Sequence, residues 1–441
     1  MTGLGDLRTG ENAAGEAMSR RAWSITLFLT CCYTLSLVDR YILAFLAPSI
    51  RHDLGLSDLQ MGLVQGFAFS ILYAVAGLPL GVAVDRYKRM KVVAVAVSFW
   101  SLMTAACGLA VNFAGLLAAR VGVGVGEAAL TPASYSIFGD VFPKRRMPLA
   151  ASIYNLAPPI ATACAAGLSG LVLGAAGADG TIVLPYLGPV QGWRVAMIGI
   201  GVPGLLVALV ALTTKEPGRL SKRRDVETAG LVPFVRRHWR LHLVFMVAAM
   251  FSALAGYAAN AWSPSVFERD FHWSPAQTGT ALGSVALFCG LFGNVLGGVL
   301  TGWLVAKGRD GAILFVAAGA MAVQAAAGSA LFVARTGEQF LVVAGIGALV
   351  LSLIFTVAGA VIQLITPSEL RGRITALSLF ILIGVGAGGG PFAVGAINTL
   401  VWSDQRLGSA LALTLVIASV SSALLFFSCA KPMRIYLNGV P

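Results

Sequence analysis

The chain has 441 residues, 57% of them apolar and 11% charged, with a mean hydropathy of +0.83. Soluble domains carry about 25% charged residues, so this composition excludes a soluble globular protein and requires one embedded in lipid. The formal net charge of +12 would suggest nucleic acid in a soluble chain, but here the basic residues lie in short loops between apolar runs, where they set topology.

Residues 1–22 are polar and Gly-rich and end in Arg20-Arg21. The apolar run that follows is too long for a signal-peptide core and has no cleavage site, so it reads as a retained first helix. Spans are expected near 23–49, 59–83, 91–110, 113–138, 148–174, 193–213, 242–266, 276–305, 312–333, 340–365, 374–401 and 408–430. A dozen spans of about 20 residues take up roughly 240 positions and leave no space for a sizeable soluble domain. The fold class is therefore an all-α membrane protein of twelve transmembrane helices.

An even number of spans puts both termini on one side. Of the 31 Lys and Arg residues, 24 lie in the tails and even-numbered loops, while Arg51, Arg194, Arg269, Arg335 and Arg406 lie in the odd-numbered ones. Positive loops stay inside, so both termini are expected to be cytoplasmic. The long basic connection 215–241 reads as a linker between two six-helix bundles, 23–214 and 242–431, with a tail at 432–441. The halves look weakly alike: Pro143-Lys-Arg-Arg146 followed by Ala150-Ala-Ser152 echoes Pro367-Ser-Glu-Leu-Arg371-Gly-Arg373 followed by Ala376-Leu-Ser378. Such 6+6 repeats mark alternating-access carriers, the alternative being a chance likeness of two basic loops.

The six cysteines, Cys31, Cys32, Cys107, Cys164, Cys289 and Cys429, lie in apolar stretches without metal-ligand spacing and read as buried free thiols. His52, His238, His242 and His272 fall in loops or at span edges, and no Ser/His/acid or HExxH pattern appears, which argues against an enzyme. No GxxxxGK[ST] phosphate loop is present, so no cofactor is expected and a proton gradient is the default energy source. No Asn-x-Ser/Thr sequon occurs, which is compatible with a bacterial inner membrane.

Four charged residues lie deep in spans: Asp39 and Arg40 in span 1, Arg120 and Glu127 in span 4. Charge in hydrocarbon is costly unless paired or hydrated, so all four are functional candidates. Counting 1.5 Å per residue from Trp23 puts Asp39 roughly 24 Å above the inner edge. Arg120, entering from outside near Phe113, reaches a similar height, which makes Asp39 and Arg120 expected partners. Glu127 lies two turns from Arg120 on the same face, about 10.5 Å away along the axis, and has no counter-charge at its own depth. A desolvated carboxyl without a partner is the chemistry that carries a proton, so Glu127 is the expected carrier and Asp39–Arg120 the switch. A static clamp between spans 1 and 4 is the plainer alternative. Arg40 could cap the outer rim or meet a substrate anion.

Spans 7–12 have no charge in their cores. Tyr257, Asn260 and Trp262 in span 7, and Ser352, Thr356 and Gln363 in span 10, are polar or aromatic candidates for substrate contact or gating, or else pack between helices. Between spans 2 and 3 runs Gly77-Leu-Pro-Leu-Gly81-Val-Ala-Val-Asp85-Arg86-Tyr-Lys88-Arg89. Here Gly would let helices approach, Asp85 could sit against a helix N-terminus, and the basic run could anchor to lipid headgroups. Span 4 carries Gly124 and Gly126, whose alternation clears a path for a neighbouring helix or for substrate. Gly384, Gly386, Gly388, Gly389 and Gly390 before Pro391 mark a flexion point in span 11.

The Gly81…Asp85-Arg86…Arg89 loop and the Arg120…Gly124…Gly126 helix resemble two signatures of the major facilitator superfamily. Within it, the stretch from Asp39-Arg-Tyr-Ile-Leu through Leu54-Gly-Leu-Ser-Asp58, Gly66-Phe-Ala-Phe69 and Gly77-Leu-Pro-Leu-Gly81 resembles bacterial members of the Spinster-like family, most strongly up to about residue 160. The resemblance implies a secondary carrier that rocks two bundles about a central cavity, with members linked to sphingolipid, lysolipid or other amphiphile transport. It also puts Asp39, Arg120 and Glu127 on positions associated with proton sensing. Two departures limit it: Gly302 stands in the second half where the repeated loop would have an acid, and span 5, from Asn155-Leu-Ala-Pro158-Pro159 to Gly167 and Gly170, lacks the Gly-Pro pattern of many drug/proton antiporters.

The expected function is thus proton-coupled transport of an amphiphilic, lipid-like molecule by a monomer, with protons and membrane lipids as its other partners. A carrier of small organic anions or drugs, and a sensor or scaffold without transport, are the alternatives.

Overall fold

A computed structural model describes residues 4–143, 146–176, 180–186, 188–216, 218, 231–367 and 370–438. Twelve helical stretches among them are long and apolar enough to cross a membrane. Span 1 is α1 (Leu4–Leu54); span 2 is α2 (Asp58–Gln65) and α3 (Phe67–Arg86); span 3 is α4 (Arg89–Gly108); span 4 is α5 (Phe113–Glu127) and α6 (Leu130–Val141). Span 5 is α7 (Met147–Tyr154) and α8 (Ala157–Ala175), and span 6 is α9 (Gly192–Thr213). The second half has α10 (Leu231–Phe271), α11 (Pro275–Ala306), α12 (Ala312–Ala330), α13 (Gly337–Ile365), then α14 (Arg371–Ile381) and α15 (Gly388–Trp402) as span 11, and α16 (Leu407–Asn438).

Several boundaries differ from the sequence reading. The backbone is already helical at Leu4, within the expected tail, and α10 begins at Leu231, within the expected linker, with a kink at His238. The loop after span 5 contains a hairpin, β1 (Thr181–Leu184) antiparallel to β2 (Gly188–Gln191), with Thr181 opposite Gln191. Its β-branched run is too short for a hydropathy window to register. Cys31 and Cys164 are exposed on their helices rather than buried, because one apolar span presents both a packed and an outward face. Of the two similar basic loops, Lys144, Arg145, Ser368 and Glu369 lie outside the described residues.

Four of the helices that start at the end opposite the termini do so with polar side-chain caps. Ser57 and Gln60 form a reciprocal capping box at α2, Ser274 and Gln277 another at α11, and Asn112 and Thr336 cap α5 and α13. Each cap satisfies backbone N–H groups that the first turn cannot bond internally. Four spans are interrupted. Span 2 breaks at Gly66, and span 5 breaks ahead of Pro158, which has no N–H to continue a ladder. Span 4 breaks just past Glu127, and span 11 passes through a π-helical turn, Leu382–Ala387, at the expected flexion point.

The glycines account for how closely the helices pack. A Cβ on Gly124 would sit 2.5 Å from the Phe69 carbonyl oxygen, and one on Gly126 2.8 Å from the Trp100 Cβ. Span 4 is therefore cleared for neighbouring helices rather than for substrate. Gly386 and Gly390 press on α10, and Gly388 presses on Ser70 and Phe67 of α3, so the Gly-rich run also brings span 11 against both bundles. Gly77 and Gly81, by contrast, have nothing within 4 Å of a built Cβ. The close approach expected there is absent in this conformation.

Inserting a side chain where packing is complete costs about 1–3 kcal/mol. Gly126→Val should therefore lower the thermal unfolding temperature of the detergent-purified protein, while Gly81→Ala should leave it unchanged or raised; equal melting curves for Gly126→Val and wild type would contradict the packing read here.

Candidate functional site

The two bundles are closed against each other at one end and apart at the other. At the end opposite the termini, α2 packs against α15, with the Cβ position of Gly62 only 2.6 Å from the Pro391 carbonyl oxygen and the backbone of Gly395 against that of Asp58. At the terminus-bearing end, the main packing of α6 is on α1, α3, α4 and α7, and that of α14 on α10, α13 and the π-helical turn, each within its own bundle. The molecule is thus open toward the side that holds its termini.

Buried charge locks the closed end. Asp58, the first residue of α2, is fully buried, and both its oxygens accept from Arg269 Nη1 of α10 at 2.9 Å. Asn398 Nδ2 donates to it at 2.6 Å and Arg51 Nε pairs with it at 2.9 Å. Asp404 extends the network, accepting from Arg51 at 3.1 Å and from Thr399 at 2.6 Å, while Arg269 Nη2 donates to the Asp404 carbonyl at 2.8 Å. Arg51 and Asp58 belong to the first bundle; Arg269, Asn398 and Asp404 belong to the second. The sequence reading missed this network, although the Ser57-x-x-Gln60 capping box could have placed Asp58 in a first helical turn.

At mid-membrane the sequence-derived pairing is overturned. Asp39 and Arg120 are both buried, but they form no ion pair. Instead Arg40 Nη2 meets Glu127 Oε2 at 2.7 Å. The error lay in the depth estimate. The first span runs from Arg20 to Leu54, beyond the expected limits at both ends, and so brings Asp39 and Arg40 near its middle; Glu127 is the midpoint of the Phe113–Val141 span. Neighbouring residues on a helix point about 100° apart, so when Arg40 faces Glu127 its neighbour Asp39 turns to α4, where Thr104 Oγ1 donates to Asp39 Oδ2. Glu127 therefore does have a counter-charge at its own depth.

Arg40 also lies over the Phe69 ring at 4.0 Å and the Tyr73 ring at 5.5 Å. Arg120 lies 5.8 Å from the Phe69 centroid, and none of its three guanidinium nitrogens has a hydrogen-bond partner among the described residues. The charges of Arg120, Arg40 and Glu127 all reach Asp39 electrostatically. One aromatic ring thus stands between two guanidiniums, and the four groups form one cluster.

Arg40 opens onto a cavity between the bundles whose space for the centres of water-sized molecules is about 30 Å³, room for one or two waters. Its walls include Tyr41, Gln65 and Phe69 from the first bundle and Tyr257, Asn260 and Pro391 from the second. Tyr257 and Asn260 are thus brought to the candidate site. Trp262 is not: it is buried, and its indole N–H donates to the Pro391 carbonyl at 2.9 Å, bracing α10 on α15. Thr356 bonds to Asn294 Oδ1 at 3.0 Å, packing α13 on α11, and neither Ser352 nor Gln363 lines the cavity.

At the terminus-bearing end, Arg89 is not a headgroup anchor. It is 1% exposed and pairs with Asp140 at the end of α6 and with Glu216 at 3.1 Å, and its Nη1 donates to the Ser136 carbonyl. Asp85 and Arg86 of the same motif are exposed. A charge run in sequence does not reveal that its last member turns inward to meet acids 51 and 127 residues away.

The Major Facilitator Superfamily sequence profile matches residues 29–391. The chain is 28% identical over 427 residues, 94% of each chain, to an MFS-type efflux pump of Mycolicibacterium smegmatis. It is 25% identical to a hexuronate transporter of Bacillus subtilis, over 66% of this chain and 67% of that one. Among solved structures, an inward-facing, unoccupied bacterial homologue of the human lysosomal transporter Spinster superposes with a TM-score of 0.76 at 25% identity, over 95% of this chain and 97% of that one.

Two outcomes test the closed end. Asp58→Asn removes the carboxylate charge shared by Arg51 and Arg269; hydrogen bonds to charged groups contribute about 1.5–3 kcal/mol each, so the share of molecules open at that end should rise roughly tenfold or more. Spin-label distances between positions 60 and 401 read this, and an unchanged distribution would show that the network does not hold the end shut. Burial alone would raise the Asp404 carboxyl, but hydrogen bonds from Thr399 and Arg51 hold it below its ordinary value. A group depressed in the folded state adds stability above its unfolded value of about 3.9 and loses it only as pH falls through the lower folded value. The same distance should therefore stay constant from pH 8 to pH 5 as far as Asp404 is concerned, with Asp404→Asn showing the same flat profile.

Proposed function

Because the chain belongs to the major facilitator superfamily, and is accordingly a multi-pass membrane transporter, we propose that it is a proton-coupled carrier of an amphiphilic, lipid-like organic anion, such as a sphingolipid- or lysolipid-type molecule. The observation that carries this reading is the 2.7 Å contact between Arg40 and Glu127 at the wall of the central cavity. A guanidinium beside a cavity binds carboxylate or phosphate by paired N–H donors, but here its counter-ion is a protein carboxylate.

The mechanism is a competition. With Glu127 ionised, Arg40 is neutralised and the charges of Asp39, Arg40, Arg120 and Glu127 sum to zero. A proton on Glu127 weakens its hold on Arg40, leaves the cluster with one net positive charge, and frees the guanidinium for an anionic headgroup. Proton and anion then bind together, and loss of the proton restores the internal pair and displaces the substrate. Asp39, held by Thr104 in reach of Arg120 and Arg40, and Arg120 itself set the field in which Glu127 exchanges its proton. Tyr257 and Asn260 supply polar contacts from the second bundle; Phe69, Tyr41 and Pro391 offer apolar surface to the rest of the molecule. The skew of Lys and Arg supports a cytoplasmic side for the termini, and with them the open end, and the membrane of this reading is a bacterial inner membrane.

Access alternates when the bundles rock apart at the outer end. The Asp58–Arg269 network then has to break, and the end carrying Gly81, Asp85 and Arg86 closes. The open space around Gly77 and Gly81 supports that closure. Transport of small organic anions is the second reading. It is favoured by the small volume of the cavity and by the likeness to a hexuronate transporter.

The deciding measurement is substrate-driven pH change in liposomes holding the purified protein, with lysolipids, sphingoid lipids and small organic acids as cargo. Proton flux is expected with an anionic lipid, and Glu127→Gln should lower it at least roughly tenfold, the scale of one lost charged hydrogen bond. Arg40→Ala should abolish both anion-driven and proton-driven uptake. Flux that follows a lipid but survives Glu127→Gln would leave the ion pair as a static clamp, and flux with organic acids alone would select the second reading.

A further inference from the structure

A second cleft lies outside the transport pathway, on the flank of the first bundle at the terminus-bearing end. It has about 680 Å³ of space for water-sized centres and is formed where the start of α4 meets the end of α9. Four cationic side chains line it, Arg86, Lys88, Lys91 and Lys215, and none of them makes an ion pair among the described residues. Its acid, Glu216, already gives Oε1 to the buried Arg89. Arg21 donates to the Lys215 carbonyl at 2.9 Å, so the first span, the loop ahead of α4 and the chain after α9 converge here.

We propose that this cleft binds an anionic phosphate group, and that its natural source is the headgroup of an anionic phospholipid. Four cations without an ion-pair partner within one concavity attract a phosphate strongly. The surface leading away from the cleft decides between a lipid and a soluble phosphate. Along α4, Lys91 is followed on the same face by Val95, Phe99 and Leu102, with exposures of 68%, 41% and 51%. Along α9, Leu212 is preceded by Leu209 and Leu206, 58% and 65% exposed. A ligand seated in the cleft by its phosphate therefore meets two apolar stripes running into the membrane, which suit acyl chains and offer nothing to a free phosphate. Binding would fasten the loop ahead of α4 to the chain after α9, both of which border the end that has to close during transport.

The full-length protein in neutral detergent, titrated with phosphatidylglycerol or phosphatidylcholine and read by native mass spectrometry, tests this. Phosphatidylglycerol should bind at least roughly tenfold more tightly than phosphatidylcholine. Each removed cation near an anionic headgroup weakens binding roughly fivefold, so Lys91→Gln with Lys215→Gln should cost roughly twentyfold. Lys307→Gln with Arg309→Gln, the same charge change on the second bundle, should cost little, and Lys91→Arg with Lys215→Arg should keep the affinity. Equal losses in both Gln pairs, or no preference for phosphatidylglycerol, would overturn the site. Displacement of the lipid by millimolar inorganic phosphate or pyrophosphate would overturn its assignment to lipid.

Discussion

The contact between Arg40 and Glu127 is the constraint around which the first bundle is organised. An ion pair in the middle of a membrane persists only if nearly every other demand on it is met, because neither partner can fall back on bulk water. Arg40 meets part of them by lying on the faces of Phe69 and Tyr73 while its Nη2 holds Glu127; Arg40 Nε and Glu127 Oε1 are buried without a hydrogen-bond partner among the described residues. That arrangement requires α3 close behind α5, which Gly124 permits by letting the Phe69 backbone approach, and α4 close to α5, which Gly126 permits at Trp100. Charge and packing therefore depend on the same few residues.

The molecule concentrates buried charge at three levels along the membrane normal. Arg40 and Glu127 sit in the middle beside the cavity, the Asp58–Arg269 network closes the end opposite the termini, and Arg89 with Asp140 and Glu216 ties together the terminus-bearing end of the first bundle. The levels differ in what they join. The first and third lie within one bundle and survive rocking, whereas the second crosses between bundles and has to dissolve for the far end to open. A carrier built this way keeps its mid-membrane ion pair inside one bundle and places its reversible contacts at the seam.

Much of the fold was legible in the sequence, because lipid leaves the backbone so few options. Apolar runs of spanning length, Lys and Arg skewed to alternate loops and one long basic connection are enough to give twelve helices in two sets of six. The four buried charges and the flexion point at Gly384–Gly390 were also visible, since ionisable groups and glycine clusters are conspicuous in hydrocarbon. Their pairing was not. A helix-entry estimate fixes depth only as well as it fixes the ends of the helix, and α1 continues to Leu54, several residues past the expected limit. A few residues along the axis were enough to exchange the partner of Glu127 from none to Arg40.

The sequence by itself determined the class of environment, the number of spans, their grouping and the short list of charged residues buried within the spans, because these follow from local composition and period. The tertiary structure alone decided which charge meets which, that Arg89 turns inward, that Trp262 braces two helices instead of facing the cavity, and that Asp58 is the centre of the closed end. Those facts depend on the rotation and depth of helices distant in sequence, from 51 residues apart for Arg89 and Asp140 to 340 for Asp58 and Asn398, and no local pattern encodes either.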